Sequence, residues 1–290
     1  MPGVFSWGQK TNKGKTRHPA ILTGCLMFRT RERGKIVRKL VYPTKSPVDI
    51  GDNFDIMTEY DKAVVESIYI FVWKTLFGKT YPSNLMLAIT NKKTADIPYF
   101  NVSPQGVPYI NLAIKSFDYW CQVAFQFSHE FAHWLMYEIS GNITVSASWL
   151  EEMIAEAFSL YVLKKLQIAW NYCKLSERNA LFSESIKKYL DDLLAKTGTN
   201  AIENCDSVQK LDELNKTSES NRENHYEERK KLFYLLDETN VFGLFDYKRF
   251  CIQSSCSFDE AKYRKTYPNN LAVRYVCDLQ KNINKNQTQK

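Results

Sequence analysis

The order of hydrophobic patterns in this chain predicts an α+β protein: a small, mostly antiparallel sheet packed on two long helices, followed by a helical C-terminal part. Three observations carry that expectation. Three short β-like runs stand together between residues 84 and 114. Two helical patterns follow, over about 117–140 and 148–170. Beyond Trp170 the chain reads as helical throughout.

Residues 1–50 read as a basic arm. The first 46 residues hold eleven Lys and Arg against one acid, Glu32, so they carry +10 while the whole chain carries +7. Such an arm suits an anionic partner: nucleic acid, an acidic protein or a membrane surface. It contains no recognisable nucleic-acid module, and a solvated tail is the plainer reading. The N-terminus has no apolar segment of a secretory signal, and no apolar run reaches the ~20 residues needed to cross a bilayer. The expected location is therefore cytoplasmic. Seven scattered cysteines without CxxC spacing fit reduced, buried thiols.

Residues 51–170 form the expected core. After the loop-like "YPTKSPVDIGDN", apolar residues recur at helical spacing between Phe54 and Phe77 (Ile56, Val64, Ile68, Phe71, Val72, Leu76), with Gly78 and Pro82 as stop signals. The runs "NLMLAIT" (84–90), "IPYFNVS" (97–103) and "VPYINLAI" (107–114) are strand-like, separated by turn residues. The helix from about Phe117 to Ser140 closes at Gly141, and the next starts near Ser146 or Ser148. Residues 171–290 form the helical part, in which "SERNALFSESIKKYLDDLLAK" and "RENHYEERKKLFYLLDE" are separated by the polar link 215–224, a candidate mobile loop.

The chemistry concentrates in "HEFAH". His129 and His133 lie four positions apart, so on a helix both imidazoles share one face and can reach one metal ion. Glu130, rotated about 100° from His129, can meet a water on that metal without ligating it. Zinc lowers the pKa of such a water towards ~7, and the carboxylate can take its proton for attack on a carbonyl. Average residue frequencies produce this pattern by chance on the order of once in a hundred chains of this length, so a third ligand is required.

Glu152 offers it. Eighteen residues separate it from His133, enough to end one helix, turn and begin an antiparallel one. Ile154, Ala155, Phe158, Leu160 and Val162 make the returning helix apolar and buried, where an acid needs a partner or a metal. Glu151 is the rival ligand, one helical step away. Glu156, one turn beyond Glu152, could accept the free ring N–H of a ligating histidine.

These residues resemble the zinc motif of the gluzincin metallopeptidases. "HEFAH", followed eighteen residues later by the glutamate of "WLEEMIA", is similar to the aminopeptidase N-type pattern, matched by Trp149, Leu150 and Glu152, with Met153 in place of a glycine. "FQFSHEFAHWLM" and "EEMIAEAFSLYVL" also resemble ImmA/IrrE-type proteases through Glu152, Ala155 and Phe158. The resemblance covers roughly Val107 to Leu163.

It implies a zincin-type core, Zn2+ held by His129, His133 and Glu152, Glu130 as general base, and a protein or peptide substrate pairing with the strand Val107–Ala113. It also implies a Tyr or His from the C-terminal part that stabilises the oxyanion, with His225, Tyr226 and Tyr234 as candidates. Two alternatives stand beside a metallopeptidase. One is a regulatory or nucleic-acid- or partner-binding protein using the basic arm; the other is a non-peptidase hydrolase using the same zinc chemistry.

Overall fold

A computed structural model of the chain describes residues 39–41, 54–77, 86–140, 143, 147–218, 220–253 and 255–288. The chain divides into Met1–Arg33 and Gly34–Lys290. All described residues belong to the second unit. The basic arm, Gly78, Pro82 and Gly141 lie outside them, apart from Lys39–Val41 of the arm.

That tripeptide is the first strand, β1 (Lys39–Val41), hidden in the sequence by its basic surroundings. The first helix, α1 (Glu59–Phe77), starts where Thr58 and Asp61 cap one another: the Thr58 N–H donates to the Asp61 carboxylate at 2.9 Å and the Asp61 N–H to the Thr58 hydroxyl at 3.2 Å. Ile56 therefore precedes the helix and is exposed, while Met57 fills the core position expected of it.

Strands β2 (Met86–Asn91), β3 (Tyr99–Val102) and β4 (Pro108–Leu112) follow as expected, but their pairing differs. The order is β1-β2-β4-β3, with β1–β2 and β2–β4 parallel and only β3–β4 antiparallel. The sheet is mixed and four-stranded, not mostly antiparallel. Helix α1 supplies the crossover that a parallel β1–β2 pair requires. The β3–β4 hairpin turns through Gly106 at φ 77°, a left-handed conformation that only glycine adopts without strain. Because β4 lies between β2 and β3, its backbone is paired on both sides. Among the described residues the edge strands are β1 and β3.

Helix α2 (Trp120–Ser140) is tied to the end of β4 by Gln126, whose side-chain oxygen accepts from the Ala113 N–H at 3.0 Å. Its inner face stacks Phe127, Phe131 and Trp134 and meets Tyr69 and Trp73 of α1. Apart from the half-buried Tyr69 these rings are buried, and together they fix the rotation of α2. Arg249, far along the chain, donates to the Ile139 carbonyl at 2.9 Å, satisfying one of the open carbonyls at the end of α2.

Helix α3 (Ser148–Ile168) begins at the second of the two expected serines. It is buried on nearly all sides, the mark of a central helix. Its start has no side-chain cap of its own; the Trp149 N–H instead donates to Asn215 at 3.2 Å. Asn215 sits on α5 (Val208–Thr217), and Arg222 opens a 3-10 turn, Arg222–His225. The described part of the polar link is thus helix and turn whose polar groups serve α3, rather than a mobile loop.

The remaining helices are α4 (Ser183–Leu194), α6 (Tyr226–Leu235), α7 (Phe242–Phe245), α8 (Glu260–Thr266) and α9 (Leu271–Thr288). Helices α4, α5 and α6 pack on α3. The six described cysteines are free thiols. No helix among the described residues is long and apolar enough to cross a membrane.

Candidate metal centre

Helices α2 and α3 bring His129, His133 and Glu152 together, and these three residues could hold a metal ion. Nε2 of His129 lies 3.2 Å from Nε2 of His133. Glu152 Oε2 is 3.2 Å from His129 Nε2, and Oε1 is 3.3 Å from His133 Nε2. Donors about 2.0–2.1 Å from a tetrahedral zinc ion stand about 3.3 Å apart, so the three edges fit that ion. Glu152 Oε2, though close to His129, makes no hydrogen bond. Buried polar groups converging without satisfying one another are the expected signature of a ligand set.

Burial alone would lower the His133 pKa. The charge of Glu152 and the carboxylates of Glu151 and Glu152, placed to accept from the ring, outweigh it and hold the ring well above its usual 6.5. Burial would likewise raise Glu152, but the charge of His133 and the close approach of both imidazoles hold its carboxyl well below the usual range. Both shifts describe the metal-free protein.

The group that orients His133 is Glu151, not Glu156. Its Oε1 lies 3.1 Å from His133 Nδ1. In the neutral ring, with that nitrogen carrying the one proton, Nε2 has its lone pair towards Glu152 and His129. Glu151 is fixed in turn by the Tyr247 hydroxyl, which donates at 2.5 Å, and by Lys248 Nζ at 3.0 Å. Glu156 points elsewhere, into an ion pair with the buried Arg229, whose other nitrogen donates to the Leu193 carbonyl at 3.0 Å. Five positions apart, Glu151 and Glu156 point about 140° apart around the helix and meet different partners. Only the packing of α3 fixes which one meets the histidine.

Glu130 is 2% exposed, with Oε1 4.0 Å from His129 Nε2. Burial raises its pKa above the ordinary glutamate value, opposed by the charges of His129, His133 and Arg222. It lines a cleft of about 330 Å³ together with the three candidate ligands, Glu151 and Arg222. One wall of that cleft is Ile97, Pro98, Tyr99 and Phe100, the entry to edge strand β3. The strand beside the cleft is therefore β3, in place of Val107–Ala113, whose backbone is consumed within the sheet.

His225 is buried with Nε2 3.9 Å from Glu156 Oε2, and burial lowers its pKa. Tyr226 lies under the Arg229 guanidinium, 4.0 Å from ring centre to cation. Tyr234 is 60% exposed. None of the three lines the cleft; Arg222, from the same 3-10 turn as His225, does. Arg222, Tyr247 and Lys248 carry no local sequence signal, because they reach the site only through the packing of distant elements.

Comparison with protein-family models, with curated proteins and with solved structures found no match to this chain.

Proposed function

We propose that this protein is a zinc-dependent metallopeptidase of gluzincin-like design. The observation that supports it most is the convergence of His129, His133 and Glu152 at 3.2–3.3 Å spacing, beside the buried carboxyl of Glu130 in one cleft. Zinc, when bound, supplies a Lewis acid and lowers the pKa of water at its open position towards ~7. His129, His133 and Glu152 would hold it, and Glu151 keeps His133 in the ligating tautomer.

Glu130 is the proton carrier. It accepts a proton from the attacking water and returns it to the leaving amine. Its burial favours the first half of that cycle, since a raised pKa makes the carboxylate a better proton acceptor. The free edge of β3 offers N–H and C=O groups with which an extended peptide can pair, and the aromatic Tyr99 and Phe100 give its side chains apolar contact.

The test is hydrolysis of a mixed peptide library by zinc-supplied protein and by Glu130→Gln. Cleavage by the first that falls at least 100-fold in the second supports the reading. Equal cleavage by both, or none by either, contradicts it.

A further inference from the structure

Among the described residues that line the cleft, Arg222 is the one Lys or Arg. The nearest acid, Glu156, already has a partner in Arg229, which is 1% exposed and donates to Glu156 Oε2. Arg222 reaches the other oxygen of that carboxylate only at 3.5 Å, the long end of the hydrogen-bond range. Arg222 shares that carboxylate with Arg229 and so is only partly neutralised by it, although its charge also acts on Glu130 across the cleft. The Arg222 side chain is 24% exposed, so solvent reaches only part of it.

A guanidinium has five N–H donors in a planar fork, and a single long contact leaves most of that capacity unused. The complementary shape is a second carboxylate, taken by two parallel N–H···O bonds. The anchor on Glu156 restrains the side chain in advance, which lowers the ordering cost of binding.

We infer that Arg222 recognises a carboxylate on the peptide bound in this cleft, which makes the preferred substrate an acidic one. The inference rests on the peptidase reading above. The carboxylate has two sources, the C-terminus of the peptide or an Asp or Glu side chain, and both present the same planar pair of oxygens.

Three fluorescent, N-acetylated apolar hexapeptides separate these sources. One carries a free C-terminal carboxylate, one a C-terminal amide, and one the amide with a single central Glu. Each is titrated into zinc-supplied Glu130→Gln protein, where binding is read by anisotropy without turnover. At least one acid-bearing peptide is expected to bind about tenfold or more tightly than the neutral one, the scale of charge-assisted hydrogen bonds. Which of the two does so names the source. Adding Arg222→Met should erase the difference, and Arg222→Lys should restore part of it at an unchanged melting temperature.

Equal affinity for all three peptides, no binding by any, or a preference that survives Arg222→Met overturns the inference. Zinc content of the same samples keeps the two readings apart. Zinc bound without acid preference sinks the Arg222 inference alone, whereas acid preference without zinc sinks the peptidase reading alone.

Discussion

Glu151 and His133 meet across the α2–α3 contact, Oε1 to Nδ1 at 3.1 Å, and the Tyr247 hydroxyl closes on the other oxygen of the same carboxylate at 2.5 Å. A segment nearly a hundred residues downstream thus sets the tautomer of a residue on the first metal-site helix. Substituting Glu151→Gln should lower zinc affinity by about 10–100-fold, the usual cost of losing such a partner. A competition titration against a zinc chelator of known affinity checks this. Tyr247→Phe, which leaves Glu151 in place, should fall between wild type and Glu151→Gln. Unchanged affinity in both variants would mean the contact does not orient His133.

Zinc should stabilise the folded chain by mass action. At a free concentration one hundred times its dissociation constant, the gain is about 2.7 kcal/mol. Denaturant melts with and without zinc measure it. His129→Ala and Glu152→Ala should each remove most of that increment, and a gain that persists in both would place the metal elsewhere.

The raised pKa of His133 in the metal-free protein predicts two opposite pH trends. A base whose folded pKa is raised contributes stability that is complete below its unfolded value, about 6.5, and lost as pH climbs through the folded value. Metal-free protein should therefore become less stable as pH rises above neutrality, by the share that His133 contributes. Zinc has to displace that proton, so its affinity should increase with pH, by up to about tenfold per unit while the ring is protonated. Thermal melts and chelator titrations from about pH 6 to about pH 9 test both. A zinc affinity flat over that span would show that His133 is not protonated in the free site.

The Glu156–Arg229 pair is buried on both sides, with side chains 2% exposed. Removing Arg229 leaves the buried Glu156 carboxylate with only the long Arg222 contact at 3.5 Å, so Arg229→Leu should cost about 3 kcal/mol in denaturant unfolding. The double variant Arg229→Leu with Glu156→Leu should recover much of that loss. A single variant within about 0.5 kcal/mol of wild type would contradict the pairing.

The parts of the site legible in the sequence are those fixed by local periodicity. His129 and His133 follow from i,i+4 spacing, and Glu152 follows from the length of a helical return. Glu151 takes the orienting role expected of Glu156, which pairs with Arg229 instead, because the rotation of α3 about its axis is set by Trp149, Ile154 and Phe158 in the core, not by the pattern itself. Strand pairing was harder to read for the same reason. Hydrophobic alternation marks β2, β3 and β4 as strands, but it does not say that β4 inserts between the other two or that β1 joins from within a basic run. Ile56 failed as a core residue because the Thr58–Asp61 cap starts α1 after it. The link 215–224 looked mobile because Asn215 and Arg222 reach α3, a destination that composition does not reveal.

Anomalous diffraction at the zinc edge, from crystals grown with stoichiometric zinc, tests the central claim most directly. A single strong peak within about 2.0–2.2 Å of His129 Nε2, His133 Nε2 and a Glu152 oxygen is the predicted result. No peak among those three atoms, or a peak held by other residues, would contradict it.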